Sequence, residues 1–130
     1  MNRMNLEKTI YAFFIVFALT LNFGFFYGPI NDPLFHNPYE LFAALVVNLI
    51  ATVLKFGDRT HIGATMLATS LVASLQLIAA TLVWAFAAHA YGTDMSSGII
   101  GTIVSLAGGA VLANIVSVVL LVIETISVQR

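Results

Sequence analysis

Residues 45–70 read LVVNLIATVLKFGDRTHIGATMLATS, and their reading decides the fold. One apolar run closes at Lys55, the link Gly57-Asp58-Arg59-Thr60 follows, and a second apolar run opens at His61. A link this short joins two helices only as an antiparallel hairpin. Lys55 and Arg59 also say on which side it lies, because Lys and Arg near span ends are kept on the cytoplasmic side during insertion. Arg3 and Lys8 precede the first apolar run and Arg130 is the last residue, whereas the connectors near 28–38 and 91–97 contain no Lys or Arg. All five cations therefore fall on one side of a four-pass reading, with both termini inside and two loops outside.

Composition agrees. Charged residues are 8% of the chain, against about 25% in soluble domains. Hydrophobic residues are 60%, and the mean hydropathy is +0.99. So few charges could not cover a soluble fold of this size. A net charge of −1 argues against a nucleic-acid partner, since phosphate binding needs clustered cations. The lack of cysteine removes disulfides, thiol catalysis and thiolate metal sites.

The spans are predicted at about 9–27, 39–56, 61–90 and 98–123. Phe23-Gly24-Phe25-Phe26-Tyr27 stands where a secretory signal would carry a small-x-small cleavage site, so the first span is read as uncleaved. Asn37-Pro38-Tyr39-Glu40 is a helix start, with Asn37 as cap, Pro38 in the first position and Glu40 reaching back to the cap. Lys55 is expected to snorkel from the inner end of span two. Trp84 and Tyr91 are expected as outer-belt anchors, Gly92 as a C-terminal cap, and Ser96 or Ser97 as the cap of span four. The predicted fold is all-α, an up-down antiparallel bundle of four transmembrane helices, with the lipid bilayer as its first partner.

Span four carries a repeat of small residues, Ser97, Gly101, Ser105, Gly109, Ala113 and Ser117, one every four positions. Small side chains let a second backbone come close, which drives helix association in lipid. The stripe serves either as a contact with another subunit or as packing within the monomer; both readings stand. In span two, Asn48, Thr52 and Lys55 share a face, as do Thr65, Thr69 and Gln76 in span three. Folding the hairpin about Asp58 sets Asn48 opposite Thr69 and Thr52 opposite Thr65. Structural pairing is the preferred reading of this polar stripe, and a permeation path is the alternative. Asn22 and Asn114 are expected to bond within the bundle.

No Asp, Glu, Lys or Arg is expected well inside a span, which speaks against proton-coupled pumping, where something must titrate along the path. The small multidrug exporters, of similar length and also with four spans, depend on a glutamate in the first span, and none stands there in this chain. The one-sided Lys/Arg distribution likewise separates it from the dual-topology fluoride channels. His36, Glu40, His89 and Asp94 lie on the outer side, where a His/carboxylate group could hold a divalent metal. Glu40 is accounted for as a cap partner and His89 as an interfacial side chain, so neither a metal nor a cofactor is expected. With no nucleophile–base arrangement, phosphate loop or haem ligand pair, no enzymatic activity is expected either.

The stretch from Asn37-Pro38-Tyr39-Glu40-Leu41-Phe42 through Val47-Asn48-Leu49-Ile50-Ala51-Thr52 to Lys55-Phe56-Gly57-Asp58-Arg59-Thr60 resembles a family of small uncharacterised proteobacterial inner-membrane proteins. The resemblance covers most of the chain and implies an association with ion-channel systems, but no site residues. The resulting expectation is an accessory or scaffold subunit that works through helix contacts, with an ion-channel or transport assembly as the kind of complex it serves. It would bind another membrane protein or copies of itself. The alternative is a homo-oligomeric channel or transporter lined by Asn48, Thr52, Thr65, Thr69 and Gln76.

Overall fold

The structure, a computed structural model, describes residues 3–27, 37–57, 60–91 and 96–129. They form four helices, α1 (Arg3–Phe26), α2 (Pro38–Lys55), α3 (His61–Tyr91) and α4 (Ser97–Gln129). Each contains a segment long and apolar enough to cross a membrane: Leu6–Phe26, Pro38–Lys55, His61–Ala90 and Gly98–Ile126. The main departure from the sequence reading is at the end of α4, which continues beyond 123. Thr125 to Gln129 offers neither Gly nor Pro to stop a helix, so the first charge, Glu124, does not end it.

Local chemistry sets the helix ends. The Tyr39 amide donates to Asn37 Oδ1 at 2.8 Å, and Pro38 occupies the first turn. The expected reciprocal bond from Glu40 is replaced by a tertiary contact. The Glu40 carboxylate lies against Gly24 of α1, where an added methyl would collide with it. Gly57 closes α2 with φ of 93°, a left-handed conformation natural only to glycine. Thr60 Oγ1 accepts from the Gly63 amide at 3.0 Å and caps α3. Of the two candidate serines, Ser96 is the cap of α4, accepting from the Ile99 amide at 3.2 Å, and Ser97 is the first residue of the helix.

The helices pack in a ring, with α1 and α3 each touching both α2 and α4. One core cluster joins Phe25 of α1, Leu41 of α2, Leu77 of α3 and Ile100, Ile103 and Val104 of α4. A second joins Tyr11 and Ile15, Ala51, Met66 and Leu121. Trp84 is half-buried and packs on the first cluster, edge-on to Phe25 at 6.1 Å. Tyr39, which is 83% exposed, and Tyr27 and Phe23 supply the outward aromatics.

The buried seam of α4 runs Ile100, Ile103, Ala107, Ala110, Asn114, Ser117, Leu121 and Glu124. Its steps alternate three and four residues, the heptad spacing that keeps side chains on one face of a gently supercoiled helix. A strict four-residue repeat drifts by ~40° per step, hence by roughly 200° over five steps. The small-residue stripe therefore crosses the helix instead of following one contact. Ser117 is buried, Ser105 is exposed, and Gly101, Gly109 and Ala113 are half-buried. Gly108 and Gly109 are close-approach points within the monomer. A methyl on Gly108 would meet the ring of Phe26 on α1, and one on Gly109 the carboxamide of Gln76 on α3.

Gly108→Leu and Gly109→Leu should each destabilise the monomer by about 1–3 kcal/mol through overpacking. Ser105 is exposed on the same helix, so Ser105→Leu should cost clearly less. Reversible unfolding in mixed micelles measures all three, and an equal loss for Ser105→Leu would contradict this assignment.

Candidate functional site

The polar side chains of the four helices converge inside the ring. Asn48 of α2 is fully buried, and its Nδ2 donates to the Ser70 carbonyl at 3.1 Å and to Ser74 Oγ at 2.8 Å, both on α3. One turn away, Thr52 Oγ1 donates to the Asn48 carbonyl at 2.9 Å and lies 3.1 Å from Ser74 Oγ. From α1 the Tyr11 hydroxyl reaches across the ring to Ser70 Oγ at 3.3 Å, and it also faces Ser117 of α4. Ser117 Oγ in turn pairs with Thr69 Oγ1. These bonds link all four helices at neighbouring levels.

Two ionisable side chains close one end of this network. Lys55 does not snorkel outward. It is buried, with Nζ 4.5 Å from the centre of the Tyr11 ring, where the π-face attracts the ammonium. Glu124 is buried on the α4 seam, close enough to Tyr11 to act on its hydroxyl electrostatically. Glu124 stands two residues before the end of the Gly98–Ile126 segment, at its edge and not well inside it. The continuation of α4 carries that carboxylate past the point where the sequence reading ended the helix.

Towards the other end, the Asn22 carboxamide of α1 is oriented so that its nitrogen donates to the Ala107 carbonyl and its oxygen accepts from the Val111 amide, both at 3.1 Å. Those two groups are backbone partners four residues apart, so one side chain grips one turn of α4. Asn22 thus bonds within the bundle, as expected of it. Asn114 differs: it is fully buried, yet neither side-chain atom has a hydrogen-bond partner among the described residues.

The hairpin register also needs correcting. Asn48 faces Ser70 and Ser74, not Thr69, and Thr52 faces Ser74, not Thr65. Thr69 turns to α4, Gln76 lies half-buried over Gly109, and Thr65 is exposed with its hydroxyl on its own His61 carbonyl at 3.0 Å. Matching levels along a hairpin leaves the rotation of each helix open. The stripe of Thr65, Thr69 and Gln76 is rotated away from α2, and the serines facing it follow Thr69 by one and five positions. Sequence reasoning missed Ser70, Ser74 and Tyr11. The signal was the four-residue spacing of Ser70 and Ser74, which mirrors that of Asn48 and Thr52.

The outer group considered for metal is only partly described. His36 and Asp94 lie outside the described residues, Glu40 is half-buried against Gly24, and His89 is exposed. Among the described residues no three His, Cys, Asp or Glu side chains gather at one point.

In this cysteine-free background, Thr52→Cys with Ser74→Cys and Thr69→Cys with Ser117→Cys should cross-link with a short bifunctional reagent, whereas Thr52→Cys with Thr65→Cys should not. Equal yields for the three pairs would mean that this register is wrong. Asn48→Leu, which removes the bonds to the Ser70 carbonyl and to Ser74 Oγ, should cost on the order of 1–2 kcal/mol in a detergent unfolding titration.

The chain belongs to a family of unknown function (DUF6394), which matches residues 35–125, from just before α2 into the last turns of α4. The residues that carry the resemblance seen in the sequence all lie within that match. No curated protein and no solved structure matches the chain.

Proposed function

We propose that this member of the family is a multi-pass protein of a bacterial inner membrane that acts as an accessory or scaffold subunit through lateral helix contacts, an ion-channel or transport complex being the kind of assembly it serves. One observation carries this reading. The polar groups that could have lined a path between copies, Asn48 and Thr52, together with their partners Ser70 and Ser74, are spent on bonds inside the monomer. What the helices turn outward is large and apolar, with Phe13, Val53, Leu75, Leu82 and Leu112 each more than half exposed. A surface of this kind offers neighbours shape and van der Waals contact, the terms that decide helix association in lipid.

Orientation follows from the cations. Lys8 and Lys55 lie at the Tyr11 end of the bundle, and the positive-inside tendency assigns that end to the cytoplasm. Core contacts between the end of α1 and the start of α2 fit an antiparallel up-down order with both termini inside. Within the stripe on α4, Ser105 is the outward residue and Gly101 flanks it, so these two are assigned to the partner contact.

Ser105→Trp and Gly101→Leu should each release a co-purifying membrane protein while the monomer stays inserted and as stable as wild type. Native mass spectrometry after mild extraction measures this directly. A closed homo-oligomer that conducts ions in liposomes would instead favour a channel made of identical copies. A reporter active only in the cytoplasm should work after Arg130 and be silent near Asn31 or Thr93; the opposite result at any site overturns the orientation.

A further inference from the structure

We propose that the interior of the bundle holds a binding site for water molecules between Asn48 and Asn114, with Glu124 hydrated separately. The proposal is independent of the accessory-subunit reading. Four buried side-chain atoms lack a hydrogen-bond partner among the described residues: Asn48 Oδ1, both Asn114 Oδ1 and Nδ2, and Glu124 Oε1. Asn48 and Asn114 are fully buried, and Glu124 is 7% exposed. Leaving such groups unsatisfied away from water costs about 1–3 kcal/mol apiece, and a bilayer supplies no outside partner.

Common neighbours place the two asparagines at one level. Asn48 is bonded to Ser70 and Ser74, and Tyr11 joins Ser70 to the level of Ser117. Asn114 precedes Ser117 by one step on the buried seam of α4, and Glu124 follows it by two. Asn48 and Asn114 thus share the layer between the Tyr11 hydroxyl and the turn gripped by Asn22. The other fully buried residues of this layer, among them Ile15, Ala18, Ala51, Ala73 and Ala110, bring no hydrogen-bonding group. Beyond Asn22 the interior is sealed by Phe25, Leu41, Leu77, Ile100 and Ile103. The polar interior is therefore blind at that end, not a pore.

The chemistry selects the guest. A monovalent cation between the asparagines would satisfy their two carboxamide oxygens but leave the Asn114 nitrogen, a donor, facing positive charge. Water both donates and accepts, so a few molecules, at the asparagines and separately at Glu124 ten residues along α4, can serve all four atoms, each typically making about three hydrogen bonds. Lys55 above the Tyr11 ring adds a further charge unfavourable to a cation at this end.

Asn22 supplies an internal control, being as buried as Asn114 but already satisfied by Ala107 and Val111. In bilayers, with asparagine labelled with nitrogen-15, magnetisation transfer from water should reach the Asn114 side-chain amide severalfold faster than that of Asn22. The two signals are assigned by their loss in Asn114→Leu and Asn22→Leu. In Asn114→Leu, transfer to the Asn48 amide should also slow towards the Asn22 rate. Transfer to Asn114 as slow as to Asn22 would overturn the proposal. So would a shift of the Asn114 signal when sodium and potassium are replaced by choline, because a cation would then be the guest.

Discussion

A polar side chain in these four helices must find its partner on its own helix, as exposed Thr65 does, or inside the ring, because lipid supplies none. The junction of Asn48 with Ser70 and Ser74 meets that constraint between α2 and α3, Tyr11 meets it across the ring, and Asn22 meets it on α4. Each of these bonds contributes little on its own, commonly below 2 kcal/mol in a bilayer. Their collective effect is on rotation. A helix that turned its asparagine towards lipid would strand the carboxamide, so the bonds select which face of an almost uniformly apolar helix looks inward. That selection is needed because α1, α3 and α4 carry no marked apolar face of their own.

Close packing then follows from small residues at the points of approach. Gly24 leaves room for the Glu40 carboxylate, Gly108 for Phe26 and Gly109 for Gln76. In each case the space where a Cβ would stand is filled by a long side chain from the neighbouring helix, which replaces the hydrophobic drive that is absent between surfaces already in lipid. The heptad seam of α4 lies along this packing. It holds alanines where α4 meets the other helices most closely and polar residues from Asn114 to Glu124, so apolar and polar halves of the interior succeed one another along a single helix face.

This division separates mechanical from chemical roles. The cluster around Phe25, Trp84 and Ile103 is a closed apolar core, whereas the half containing Tyr11, Lys55 and Glu124 gathers the groups able to exchange protons or bind polar guests. An ionisable side chain buried inside a span is costly, and such residues in membrane proteins are most often functional. Here the ammonium of Lys55 lies over the Tyr11 ring, a contact that moderates its cost.

The sequence alone determined how many helices there are, roughly where they lie, and where several begin and end. Hydrophobic runs of sufficient length, the caps at Asn37 and Ser96 and the left-handed Gly57 are local properties, readable from neighbours within a turn. Membership of the polar set was legible too, since Asn22, Asn48, Thr52 and Asn114 stand out against apolar surroundings. Which of them meet was decided only by the tertiary structure. Pairing depends on the rotation of each helix about its axis. A one-residue change turns a side chain by ~100°, enough to exchange Thr69 for Ser70 as the neighbour of Asn48. The same physics moved Ser105 outward and Ser117 inward, and carried Glu124 into the bundle once α4 continued past it: a helix repeats every 3.6 residues, but what its faces meet is set by the three helices around it.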